Sequence, residues 1–436
     1  MSNTENSGKI GLWTSTALVV GNMIGSGVFL LPASLAAFGS IGLLGWIGSS
    51  AGAIVLAILY SNLSKIFPKL TGGPYAYSRV GLGDFAGFLV AWGYWVSIWC
   101  TNAAISVAFV SYLTVFFPVL KTNSLLALGT GLSAIWFLTW INTRGVKEAG
   151  AVQFITTILK VTPLIAVSIV GLFYMNFDHF SQFNISGKSD FAAITATATL
   201  TLFAFLGLES ATIPSGNIEN PEKTIPRATM IGTWVTILIY VLGSVTVIGM
   251  IPVTELKDSS APFADAAALI WGDQARYWVA AGAIISTFGA LNGWILIQGQ
   301  MPMAAAKDRL FPAIFKKENG KGIPAMGIII SSLLISVLMM TNFTNGLTDT
   351  FTFMVLMTTV TILVPYLFSA ASYGVIILEN KFWKRDSISQ IIIAVLGFLF
   401  SLWAILGSGQ ETVYWGFIAI LAGIPFYVWM KREHHD

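Results

Sequence analysis

Charge is the first thing this chain lacks. Only 10% of its 436 residues are Asp, Glu, Lys or Arg, against about 25% in a soluble globular protein. That is too few to cover a water-facing surface of this size. Cysteine is almost absent. Cys100 is the single one, which excludes an internal disulfide and argues against a disulfide-built secreted fold. Histidine is also scarce. His179, His434 and His435 are all there is, and they fall in a loop and in the tail. The His434-His435 pair reads as a flexible tail rather than a metal site. There is no Walker A motif, no metal-ligand spacing and no nucleophile–base pair, which disfavours an intramembrane enzyme and ATP-driven transport by this chain. No cofactor is expected. The N-terminus, MSNTENSGKIG, has no basic stretch ahead of an apolar one, so no cleavable signal peptide is expected.

What fills the chain is apolar. It is 55% hydrophobic, with a mean hydropathy of +0.77. A membrane helix needs ~20 mostly apolar residues, and the charged residues mark the gaps between such runs. Twelve spans result, at 11–33, 42–64, 85–116, 123–143, 149–175, 192–215, 228–252, 277–306, 324–341, 351–378, 388–407 and 412–430. The expectation is an all-α integral membrane protein with twelve transmembrane helices and one transmembrane domain, 1–436. With the N-terminus inside, eighteen of the 23 Lys and Arg fall in inner segments and four, Lys121, Lys188, Lys257 and Arg276, in outer loops. That asymmetry puts both termini in the cytoplasm. The inner excess is a topology signal, and no nucleic-acid partner is expected.

Two ionisable side chains lie inside the spans, Lys160 and Glu209. A charge at the bilayer centre costs at least ~2.5–3.5 kcal/mol, so such residues usually face a cavity or a partner. Lys160 sits about eleven residues into span five, roughly 17 Å from its inner end at 1.5 Å per residue. A side chain ~6 Å long does not snorkel out from there. Glu209 follows LFAFLGL in span six. Either group is a candidate proton carrier, and the sequence leaves open whether they pair.

The stretch GNMIGSGVFLLP, residues 21–32, puts Gly21, Gly25 and Gly27 with Asn22 and Ser26 into span one. A GxxxG pattern for close helix packing covers Gly21 and Gly25. It does not cover Gly25-Ser26-Gly27, since each glycine costs ~1 kcal/mol against alanine in a helix. Non-helical backbone at this depth is tolerated only facing protein or a water-filled cavity. Span six offers a counterpart in FAFLGLESATIPSG, residues 203–216, with Gly207, Glu209, Ser210 and Pro214. Interrupted spans in corresponding positions of two chain halves point to a transporter site. Spans one and six would open two five-helix repeats, 11–175 and 192–378, of inverted topology. Helices 11–12 (388–430) would lie outside the repeats. The half-helix after Gly27 would offer free N–H groups to a carboxylate. Unwound carbonyls around Phe203, Ala204 and Leu206 would suit an ammonium. Such a site binds an α-amino acid or a close relative.

Three segments, GNMIGSGVFLLP, TGGPYAYSRVGLGDFAGF and FLGLESATIPSGNIENPEKTIPRA, resemble the amino acid–polyamine–organocation (APC) permeases, in the family's order and over nearly the whole chain. The nearest likeness is to the basic amino acid and polyamine antiporters, with the arginine/agmatine exchangers among them. The resemblance implies a LeuT-type 5+5 inverted repeat with discontinuous helices 1 and 6, in which half-helix ends hold a substrate carboxylate. Carried over by position, it implies that Met23, Ser26 and Gly27 meet the carboxylate, with Asn22 and Gly25 also in the substrate-binding set, and that Asn102 meets the distal group of the side chain. Trp294 would gate and stack on the substrate, as suits a cation. Phe203 stands where those exchangers have a gating tryptophan. Tyr94, Glu209 and Tyr366 would close the cytoplasmic side. Lys160 departs from that pattern. It resembles the span-five lysine of sodium-independent members, which bonds near the break in span one and implies sodium independence.

The function expected is a secondary transporter using alternating access in the cytoplasmic membrane and sensitive to protons. A channel would need a filter sequence, and none is present. Two substrate readings stay open. Asn102, Trp294 and Glu209 favour a cationic amino acid exchanged for its amine, and Lys160 and Phe203 favour neutral amino acids, by proton symport or exchange. The partners are a small amino acid or amine and the lipid bilayer, with a homodimer left open.

Overall fold

The computed structural model describes residues 10–70, 72–144, 149–213, 215, 218–320, 322–342, 346–379 and 387–433. Pro214, His434 and His435 lie outside them. The chain is helical: α1 (Leu12–Met23), α2 (Gly27–Ala36), α3 (Gly42–Ile66), α4 (Pro74–Leu113), α5 (Val119–Thr122), α6 (Ser124–Arg144), α7 (Ala149–Gly171), α8 (Asp190–Leu202), α9 (Pro221–Met250), α10 (Val253–Leu256), α11 (Pro262–Trp271), α12 (Asp273–Lys307), α13 (Ala325–Asn342), α14 (Leu347–Glu379), α15 (Ser387–Gly407), α16 (Gln410–Leu421) and α17 (Ile424–Glu433). Among the described residues nine helical stretches are long and apolar enough to cross a membrane, and shorter apolar helices cover 160–174, 190–205, 262–271 and 325–341. Strand-like pairing is limited there to one isolated bridge, Ile10 to Ile218.

The outer surface is apolar. Leu238, Leu333 and Leu406 are 68%, 56% and 74% exposed, as lipid-facing side chains must be. The interior carries the polar groups. Buried Thr197, Thr201, Thr287 and Thr361 donate back to carbonyls one turn earlier, which satisfies their hydroxyls within their own helices. Long, mostly buried α4 and α14 pack along each other at the centre of the bundle.

Several expected spans are reshaped. The third begins after a kink at Gly83, where φ is +85° inside α4, and it stops at Leu113, short of 116. The last is split at Ala422–Gly423 into α16 and α17. The connection after α9 carries two short helices, α10 and α11.

Spans one and six are both interrupted. α1 ends at Met23, and α2 starts afresh at Gly27 with Ser26 as its N-cap. α8 passes into a 3-10 turn at Phe203–Phe205, runs extended at Leu206, and resumes as a 3-10 turn at Ser210–Thr212. Gly207 carries φ +99° between them, and a Cβ there would stand 3.1 Å from Asn22 Cβ. Both the dihedral and the contact with the other break require glycine. Gly27 is pressed in the same way. A Cβ on it would lie 3.3 Å from both Ala204 Cβ and Phe203 Cδ1, so the two breaks cross at touching distance.

Candidate functional site

The two breaks enclose one small cavity. Asn22, Met23, Gly25, Ser26 and Gly27 line it from span one, Phe203 and Leu206 from span six, Thr101 and Ile105 from α4, and Trp294 from α12. It leaves about 10 Å³ for the centre of a water molecule, roughly one water. This conformation is therefore closed around the site.

Broken backbone in an apolar interior must be satisfied from elsewhere. Side chains distant in sequence do this. Lys160 Nζ, 4% exposed, donates to Gly21 O at 2.5 Å. Tyr240 OH donates to Met23 O at 2.5 Å. Asn22 Nδ2 donates to Ser210 Oγ at 2.9 Å, tying one break to the other. At the start of α2 the N–H groups of Ser26, Gly27 and Val28 have no backbone acceptor among the described residues. Ser26 Oγ is buried and, among the described residues, also without a partner. An unmet buried donor costs about 1–3 kcal/mol, so this end of the cavity is short of acceptors.

The span-six carbonyls differ from expectation in one respect. Phe203 O is not free, because the 3-10 turn brings Leu206 N–H onto it at 3.1 Å. The carbonyls of Ala204 and Leu206 accept no backbone bond among the described residues. Ala204 itself faces Gly27 and does not line the cavity.

Asn102 is fully buried beside the cavity rather than in its wall, with Nδ2 on Gln298 Oε1 at 2.7 Å. Trp294 is 3% exposed and in the wall. The Phe203 ring meets Phe351 edge-on at 6.2 Å. Tyr94, Glu209 and Tyr366 come together away from the cavity. Tyr94 OH donates to Glu209 Oε1 and Tyr366 OH to Glu209 Oε2, each at 2.8 Å, with Glu209 fully buried. Lys160 and Glu209 do not pair with one another. Each is held by other groups, and no ion pair joins them among the described residues.

Thr101, Ile105, Tyr240 and Gln298 were not anticipated; Ser210 was named as part of the second break, though not as the partner of Asn22. Gln298 had a visible signal, an amide four residues after Trp294 and so on the same face of α12. Tyr240 had none, because one tyrosine among twelve in an apolar span looks like packing.

Comparison with known proteins agrees with this architecture. Residues 10–428 match the amino acid permease family. The chain is 32% identical to an arginine/ornithine antiporter of Pseudomonas aeruginosa, over 98% of this chain and 92% of that one. It is 33% identical to a cadaverine/lysine antiporter of Escherichia coli, over 98% and 96%, and 30% identical to a putrescine transporter of Haemophilus influenzae, over 97% of each. With a match over nearly its whole length and a bundle of apolar helices of membrane-crossing length, the chain is a multi-pass membrane protein that belongs to the amino acid permease family.

Proposed function

We propose that this protein exchanges a cationic amino acid for a related amino acid or amine across the cell membrane, without sodium, by alternating access. The observation that carries this is the cavity at the crossing of the two breaks, with the Lys160 ammonium on the Gly21 carbonyl beside it. Relatives named for arginine/ornithine, cadaverine/lysine and putrescine transport support the cationic class over the neutral one.

In this reading the substrate carboxylate lies at the start of α2, on the Ser26, Gly27 and Val28 N–H groups and the Ser26 hydroxyl, at the positive end of the helix dipole. Met23, Asn22 and Gly25 shape that pocket. The α-ammonium meets the carbonyls of Ala204 and Leu206. Trp294 and Phe203 cover the substrate from the outer side, and Asn102 meets the far end of its side chain. Tyr94, Glu209 and Tyr366 form the inner gate. Glu209 or Lys160 carries the coupled proton. Lys160, bonded to the first break, takes the place of a sodium ion there. The twelve helices form a 5+5 inverted repeat, 11–175 and 192–378, with 388–430 outside it and both termini in the cytoplasm.

The test is uptake of labelled arginine into proteoliposomes holding the purified protein. Vesicles are loaded with ornithine, with cadaverine, or left empty, in sodium and in potassium buffers. Uptake that requires an internal cation and ignores sodium is the expected result. Uptake into empty vesicles driven by an inward proton gradient would replace exchange with symport. Strict sodium dependence would overturn the role given to Lys160.

A further inference from the structure

We propose that Gln298 determines the substrate preference of this site by fixing which end of the Asn102 amide is left free. The inference rests on the exchanger reading above, in which Asn102 meets the distal group of the substrate side chain.

A primary amide has a donor end and an acceptor end of nearly the same shape, so its orientation is decided by its partners. Gln298 Nε2 lies 3.0 Å from Ile328 O and 2.7 Å from Ser332 Oγ. Ile328 O is a main-chain carbonyl and can only accept. The NH2 end of Gln298 must therefore face it, which turns Oε1 toward Asn102. Asn102 answers with Nδ2 at 2.7 Å. Turning Asn102 over would set two amide oxygens at that distance. Turning both amides over would set Gln298 Oε1 against Ile328 O. A carbonyl two links away on α13 thus dictates the orientation of a side chain on α4.

The rest of the surroundings hold this relay still. Ser332 Oγ is 2.6 Å from Thr139 Oγ1, and Ser331 Oγ shares its hydrogen between Gly327 O at 2.8 Å and Gln298 O at 3.1 Å, which links α13 to α12. Gln298, Asn102, Ser331 and Ser332 are all fully buried, so no solvent competes.

The consequence is a buried acceptor without a donor, since Asn102 Oδ1 has no partner among the described residues. Asn102 lies on the stretch of α4 that walls the cavity. Thr101 and Ile105, one residue before Asn102 and three after it, line the wall, and so does Trp294, one turn before Gln298. An unmet acceptor in such a place rewards a ligand that brings N–H donors, such as a guanidinium or an ammonium. It gives nothing to an aliphatic side chain and repels a carboxylate. A buried polar group left unpaired by the wrong ligand discriminates more strongly than a lost apolar contact.

The experiment is equilibrium binding of arginine, leucine and glutamate to the purified full-length protein and its variants. Gln298→Met keeps the length and volume but offers no amide, which frees Asn102 to rotate. The arginine-to-leucine affinity ratio is expected to fall about tenfold, with leucine affinity little changed. Ser332→Ala leaves Ile328 O in place and is expected to keep the parent ratio. Gln298→Met added to Asn102→Leu is expected to lower the ratio no further than Asn102→Leu alone. Gln298→Asn, too short to span Ile328 O and Asn102, serves if the methionine variant does not fold. An unchanged ratio in the Gln298 variants, in a parent that prefers arginine, overturns this inference and leaves the exchanger reading standing. An equal loss in Ser332→Ala also overturns it, because general packing would then explain the effect. A parent that binds arginine no better than leucine overturns both readings.

Discussion

Lys160 and Gly21 are 139 residues apart, and the ammonium of one donates to the carbonyl of the other at 2.5 Å. The bond closes a backbone group that the end of α1 would otherwise leave bare in an apolar interior. It also places the Lys160 amine close to the first break.

Lys160→Ala leaves Gly21 O buried without its donor. The expected cost is about 1–3 kcal/mol, read as a lower midpoint in thermal unfolding of the purified protein. Exchange in proteoliposomes should fall at least about tenfold, because the break that shapes the carboxylate end is no longer held. An unchanged exchange rate would show that the break stands without the lysine.

Gly207→Ala places a Cβ on a residue with φ +99° and 3.1 Å from Asn22 Cβ. The strained dihedral alone costs on the order of 1–3 kcal/mol, and the crowding pushes the two breaks apart. Substrate affinity and thermal stability are expected to drop together. A variant with wild-type affinity would mean that the contact between the breaks is not needed for binding.

Glu209 is held by two phenols, one on each carboxylate oxygen. Tyr94→Phe or Tyr366→Phe removes one donor while keeping the ring, and each should loosen the inner gate proposed above. The expected readout is faster labelling, by a cytoplasmic thiol reagent, of a cysteine placed at Ser210. Glu209→Gln is expected to flatten the pH dependence of exchange. If that dependence survives in Glu209→Gln and disappears in Lys160→Ala, the proton belongs to Lys160.

Outside the spans, burial in α11 raises the Asp265 carboxyl above its ordinary range, against the lowering effects of the Ser259 hydroxyl, Arg276 and Lys121. Ser259 Oγ donates to it at 2.5 Å and Arg276 Nη2 lies 3.2 Å away; Tyr112 also lies within its electrostatic reach. The folded protein thus holds this proton more tightly than the unfolded chain. The associated stability is fully present below about pH 4, the ordinary Asp value, and is lost as pH rises through the folded value. Thermal midpoints measured across that window should decline in the parent and decline less in Asp265→Asn. Parallel curves would remove Asp265 as the source.

Much of this was legible in the chain. Composition alone names the solvent, because an apolar bilayer is the only medium in which so few charges suffice. The glycines and polar residues at 21–27 stand out because a helix surrounded by hydrocarbon has no water to take up its freed backbone groups. The break at Gly207 was visible for the same reason. The split of the last span at Ala422–Gly423 and the kink at Gly83 were not, since isolated glycines in apolar runs more often mark packing. The relay from Ile328 to Asn102 was out of reach, because it depends on a main-chain carbonyl and carbonyls leave no mark in a sequence.

What the sequence determined by itself was the medium and the two interruptions, at 25–27 and at 207, both of which follow from local composition against a membrane. What only the tertiary structure decided was who meets whom. Lys160 and Glu209, the two charges within the spans, could have paired with each other, yet Lys160 took Gly21 O while Glu209 took Tyr94 and Tyr366. Local sequence is silent on such choices. The groups lie on different helices more than a hundred residues apart, and apolar spans carry no pattern that fixes their neighbours until they pack.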